Sequence, residues 1–134
     1  QYKQAVFNSK MKKVEVLMSN LSSALQEYQL IHGKGTVPSG PGDFAWQPPE
    51  GCEDQSATYS ASGWPVVWIC NDFMIGLTQN NAAQGTVSAN LKMQGGNNGT
   101  YEKLSTGSFR CRGTSQATVE SFKKYCEINN LPII

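Results

Sequence analysis

Four cysteines, Cys52, Cys70, Cys111 and Cys126, are the side chains best suited to covalent chemistry in this chain of 134 residues. An even count with no C-x-x-C pair points away from zinc, whose thiolate ligands usually come in close pairs, and the single histidine, His32, stands far from all four in sequence. Two disulfides are expected, which places the protein in an oxidising compartment. Three pairings are open to four cysteines. The sequential one, Cys52 with Cys70 and Cys111 with Cys126, closes the shortest loops, each contributing about 3 kcal/mol in the chain-entropy model.

Little else is arranged for catalysis. His32 falls at the end of a long apolar repeat, where a basic side chain complements the carbonyl end of a helix rather than serving as a base. G-x-S-x-G, H-E-x-x-H and glycine-rich phosphate-loop patterns are missing from the sequence. No catalytic residue, metal ligand or cofactor is therefore expected. Glu50, Glu53 and Asp54 could approach a calcium ion, but the D-x-[DN]-x-[DN]-G spacing is lacking and solvated loop charges are the plainer reading. Trp46, Trp64 and Trp68 could stack on sugars, although burial is the commoner fate of tryptophan. Asn20-Leu21-Ser22 and Asn98-Gly99-Thr100 match the N-glycosylation pattern, which is weak evidence on its own.

Charge is divided along the chain. Residues 35–91 hold Asp43, Glu50, Glu53, Asp54 and Asp72 with no Lys or Arg, giving −5, while the remainder holds eleven basic and five acidic residues, giving +6. The near-zero total argues against nucleic acid as the primary ligand. Opposed patches suit head-to-tail packing of copies, with Lys10, Lys12 and Lys13 facing Glu50, Glu53 and Asp54 as the candidate inter-subunit charges.

These groups need a frame. Phe7, Met11, Val14, Met18, Leu21, Leu25 and Tyr28 recur at alternating spacings of four and three. That seam predicts one helix over residues 1–32, about 48 Å long at 1.5 Å per residue, stopped by Gly33. Leu17, Ala24 and Ile31 widen it, which favours a helix laid on a sheet over a coiled coil. Val6, Val16 and Leu30 lie off the seam and have no role in a lone domain. Gln1-Tyr2-Lys3-Gln4-Ala5 offers no capping residue, and lysines near the start oppose the macrodipole, so the helix is expected to continue upstream of residue 1.

Residues 33–72 read as a loop region fastened by Cys52, with the apolar run over 64–69 pushed by Pro65 toward an edge or a strand start. Phe73, Ile75 and Leu77 alternate with Met74, Gly76 and Thr78, and Val87, Ala89, Leu91 and Met93 alternate with polar residues. This predicts antiparallel strands with one face on the helix and the other wet. Segments 101–104 and 108–112 are shorter strand candidates, 80–85 and 95–100 read as turns, and 115–126 reads as a short helix. Beyond it, 127–134 has few visible anchors. The expectation is a single α+β domain: helix 1–32, loop region 33–72 with the first disulfide, an antiparallel sheet of three to four strands over 73–112, and a C-terminal disulfide region 113–134.

Gln1-Tyr2-Lys3-Gln4-Ala5-Val6 leading into the amphipathic helix resembles the segment just after the hydrophobic N-terminal stretch of type IV pilins and pilin-like proteins. Gly51-Cys52 and Cys70-Asn71-Asp72-Phe73 resemble the loop cysteine of one pilin group and its partner before the first sheet strand. Gly107-Ser108-Phe109-Arg110-Cys111 and Ser121-Phe122-Lys123-Lys124-Tyr125-Cys126 resemble that group's closing strand and short helix. The resemblance implies a pilin fold with bridges 52–70 and 111–126, and a structural subunit, not an enzyme, of a type IV pilus or a type II secretion pseudopilus serving adhesion or motility. The partners it implies are copies of itself or other pilins in a helical filament, and an inner-membrane assembly machinery reached through an apolar segment upstream. The implied location is a cell-surface filament, anchored in the inner membrane before assembly. A second reading is a C-type-lectin-like carbohydrate-binding head on a helical neck, although Trp68-Ile69-Cys70-Asn71-Asp72 departs from the Trp-Asn-Asp motif of that family.

Overall fold

A computed structural model describes residues 2–44, 46–48, 50–91, 99–113 and 119–134. Helix α1 spans Tyr2–His32. It stops where expected: Gly33 adopts φ 111°, a conformation that glycine reaches without a β-carbon penalty, and its N–H donates to the Gln29 carbonyl at 2.9 Å. Phe7, Met11, Val14, Met18, Leu21 and Leu25 are each at most 2% exposed. The seam is thus consumed by the chain's own core. Tyr28, the last residue of the seam, packs at the margin of the core. It is half-buried and meets Phe44, beyond a 3₁₀ turn at Pro41–Asp43, with ring centroids 6.3 Å apart. Ile31, expected to widen the seam, is exposed.

Among the described residues the sheet has six strands, not three to four: β1 Glu53–Asp54, β2 Val66–Ile69, β3 Phe73–Leu77, β4 Val87–Leu91, β5 Thr100–Lys103 and β6 Phe109–Arg112. Each is antiparallel to the next, so the order in space is the order in sequence. The two additional strands come from the region read as loop. Pro65 precedes β2, so its missing N–H costs no ladder bond, and β2 lies inside the sheet rather than at its edge. With only two residues, β1 is too short to show alternation. Between β2 and β3, Gly76 permits a close approach: a β-carbon there would collide with the Val66 carbonyl oxygen.

One sheet face packs on α1 through Val66, Trp68, Ile75, Leu77, Val87, Ala89, Leu91 and Tyr101. Part of the other face is covered by helix α2 at Ser56–Tyr59 and a 3₁₀ turn at Ser60–Ser62, fastened where the Val67 N–H donates to Ser56 Oγ at 3.0 Å. Helix α3, Gln79–Ala83, occupies most of the segment read as a turn. Thr78 caps it, its side chain accepting from the Asn81 N–H at 3.2 Å. The last helix, α4, runs over Glu120–Ile128 and packs beside the start of α1, where Gln4 Nε2 donates to the Ser121 carbonyl at 3.0 Å. Met93, the turn over 95–98, Asn98 of the second sequon and the proposed helix start over 115–118 lie outside the described residues.

Both disulfides follow the sequential pairing, Cys52–Cys70 and Cys111–Cys126. The second ties α4 to β6. The tail after α4 is better anchored than its sequence suggests: Ile133 forms a parallel bridge with Cys111, Ile134 N–H donates to the Cys111 carbonyl and Gly113 N–H donates to the Ile134 carbonyl, both at 3.1 Å. Both sheet edges are thereby blunted, one by the tail and the other by a two-residue acidic strand.

Candidate functional site

The residues singled out from the sequence do not converge on one centre. His32 is exposed at the end of α1 and lies tilted by 31° against the Tyr28 ring, centroids 4.2 Å apart. Glu50, Glu53 and Asp54 do not close on a common point, and among the described residues no three His, Cys, Asp or Glu side chains are grouped to hold a metal ion. Asp54 Oδ1 instead accepts from the Ser56 N–H at 2.9 Å and from Ser56 Oγ at 2.6 Å, fixing the entry into α2. In the first sequon Leu21 and Ser22 are buried in the α1 seam.

The candidate inter-subunit charges divide into two sets. Lys10 pairs within the chain with Asp72 at 3.1 Å, so the basic and acidic halves already meet in one molecule. Lys12 Nζ lies 3.5 Å from Glu15 and 5.5 Å from the centre of the Tyr125 ring. Lys13, Glu50 and Glu53 are exposed and have no ion pair among the described residues. Lys13, Val16 and Leu17 of α1 form one wall of a 490 Å³ groove whose other wall carries Glu50, the Cys52–Cys70 bridge and Phe73.

The tryptophans also separate. Trp68 is buried, and Trp46 packs edge-on against it with centroids 4.8 Å apart. Trp64, half-buried, stands at the rim of a 430 Å³ cleft on the sheet face away from α1. Trp64 and α3 form its walls, joined where the Gln79 N–H donates to the Gly63 carbonyl at 2.8 Å. Its floor is the polar face of β4, β5 and β6: Ser88, Asn90, Thr100, Glu102 and Arg112.

Glu102 organises that floor although its side chain is only 2% exposed. Glu102 Oε1 accepts from Arg110 Nε at 2.7 Å and from Arg112 Nε at 3.2 Å, and Oε2 accepts from Asn81 Nδ2 at 2.9 Å. Asn81 Nδ2 also donates to Ser88 Oγ at 3.3 Å, and Thr100 Oγ1 donates to Asn90 Oδ1 at 3.0 Å. A buried carboxylate is tolerable only when charged donors hold it, and two guanidinium groups do so here. The sequence reading missed this cluster. The signal lay in the hairpin 101–112, whose register sets Glu102 opposite Arg110.

Across the sheet a second carboxylate ties α1 to the core. Glu15 Oε2 accepts from Tyr101 Oη at 2.8 Å and from Tyr125 Oη at 2.6 Å. Burial first, and the bond to the Glu15 carboxylate second, push both phenols above their ordinary value. Both hydroxyls stay protonated and donating at neutral pH.

No protein-family model, no curated protein and no solved structure matches this chain.

Proposed function

We propose that this protein is a structural subunit of a bacterial surface filament, a type IV pilus or the related secretion pseudopilus, and that residues 2–134 form its extracellular head on a pilin-like fold. The observation that carries the reading is the two-faced character of α1. Its heptad seam is buried under the chain's own sheet, while Tyr2, Val16 and Leu30, spaced fourteen residues apart, are 83%, 61% and 86% exposed. A helix serving only its own domain needs one apolar face. A second row of large apolar residues along the same helix supports packing against neighbouring copies.

Two disulfides suit an oxidising location, and the blunted sheet edges direct association away from uncontrolled strand pairing. No helix among the described residues is long and apolar enough to cross a membrane. In this reading membrane anchoring and the main polymerisation contact belong to an apolar helix preceding Tyr2, and the head supplies the filament's outer surface. The lectin-neck reading is disfavoured because the heptads it would use for oligomerisation are already covered. Deleting the gene tests the proposal: loss of a surface filament or of type II secretion is expected, and unchanged filaments together with unchanged secretion would overturn it.

A further inference from the structure

We propose that the cleft bounded by Trp64 and α3 is a saccharide-binding site independent of calcium. This goes beyond filament assembly and does not rest on it. Each sugar hydroxyl is both a donor and an acceptor, so its best counterparts are groups that offer both kinds of atom or that pair one with the other in a fixed array. The cleft supplies such an array: the amides of Asn81 and Asn90, the Thr100 hydroxyl and the Arg112 guanidinium, which the buried Glu102 carboxylate holds from beneath, with Trp64 at the rim.

The other ligand chemistries fit less well. A phosphate needs donors without acceptors, yet the floor mixes a carboxylate and amide oxygens with the Arg112 guanidinium. A cation needs several oxygen ligands of negative charge, but among the described residues Glu102 is the one carboxylate here and Arg110 and Arg112 already hold it. An apolar ligand would cover the floor's amide, hydroxyl and guanidinium groups without offering them hydrogen-bond partners.

The site is also pre-organised. Because Glu102 is buried and bonded to Arg110, Arg112 and Asn81, binding need not order the floor. Trp64 differs from Trp46 and Trp68 in standing beside these polar groups rather than in a tryptophan pair. Its indole can cover the apolar face of a pyranose while the floor takes the hydroxyls.

The test is a titration of the purified, isotope-labelled chain with oligosaccharides of glucose, of N-acetylglucosamine and of glucuronate to millimolar concentration, read by chemical shift. At least one series is expected to move the Trp64 indole N–H and the side-chain amides of Asn81 and Asn90, with the same affinity in the presence of a calcium chelator. Trp64→Ala and Asn90→Ala should each weaken that binding by about tenfold or more, or about 1.4 kcal/mol. Should Trp64→Ala unfold, Asn90→Ala, which leaves the Glu102 cluster intact, decides alone. Three results overturn the proposal: no shift from any series, shifts centred on Trp46 or on the groove beside Cys52, or undiminished affinity in a folded variant.

Discussion

Single residues show where burial is compensated and where it is not. Ser22 is 2% exposed in the α1 seam, and among the described residues its Oγ is buried without a hydrogen-bond partner. A buried hydroxyl with no partner costs free energy that alanine would not, and alanine is also the better helix former. Ser22→Ala is therefore expected to raise stability by about 1 kcal/mol in urea unfolding; a loss of stability would mean that the hydroxyl has a partner. Glu102 is the opposite case. Its removal takes the nearer of two acceptors from the Asn81 amide and breaks both arginine pairs, but those arginines remain partly exposed, with side chains 29% and 48% accessible. Glu102→Ala should accordingly cost about 2 kcal/mol, below the 3–5 kcal/mol typical of breaking a fully buried pair. An unchanged unfolding midpoint would show that the cluster is dispensable to the fold.

Elements are held together by contacts of very different legibility. The α1 seam and the β4 alternation are visible in the sequence because periodicity alone encodes them. Leu21→Ala or Leu25→Ala, each at a position 0% exposed, should cost about 2–5 kcal/mol in denaturant unfolding, and a cost well under 1 kcal/mol would contradict the packing described. Strand β1 and helix α3 are hidden because two and five residues carry too little pattern, and α3 depends on the Thr78 cap as much as on composition. The Glu102 floor and the Glu15–Tyr101–Tyr125 tie are hidden for another reason: they join residues through register and packing between elements, which composition does not record.

That tie makes a pH prediction. Tyr101 and Tyr125 have folded pKa values above the unfolded value near 10. Their contribution is therefore fully present below pH 10 and is lost as pH rises through the folded values, where the unfolded chain gives up protons that the folded one retains. Unfolding free energy should fall above pH 10. In the Tyr101→Phe, Tyr125→Phe double variant that fall should be shallower, with Glu15 and Lys12 of α1 still facing the site. Parallel alkaline profiles for the two proteins would refute the assignment.

At the scale of the whole molecule, the division of charge is less available to neighbours than the sequence suggests. Lys10–Asp72 is an internal surface pair, of the kind worth about 0–1 kcal/mol, and Asp54 is committed to Ser56. In the proposed filament, Lys13, Glu50 and Glu53 would be left for contacts between subunits, and with a Debye length of about 8 Å at physiological salt they would set register but not drive assembly. Glu50→Lys with Glu53→Lys should reduce or disorder filaments while leaving the head's thermal unfolding unchanged; normal filaments would remove charge from the mechanism without touching the apolar face of α1. The deciding measurement is where the protein made from its natural gene resides. Antibody raised against residues 2–134 should label sheared surface filaments along their length in electron micrographs, and Val16→Glu with Leu30→Glu should abolish the labelled filaments while the head still folds. Recovery of the protein solely as a dispersed monomer, from cells whose surface carries no labelled filament and whose type II secretion is unchanged without the gene, would contradict the filament-subunit reading outright.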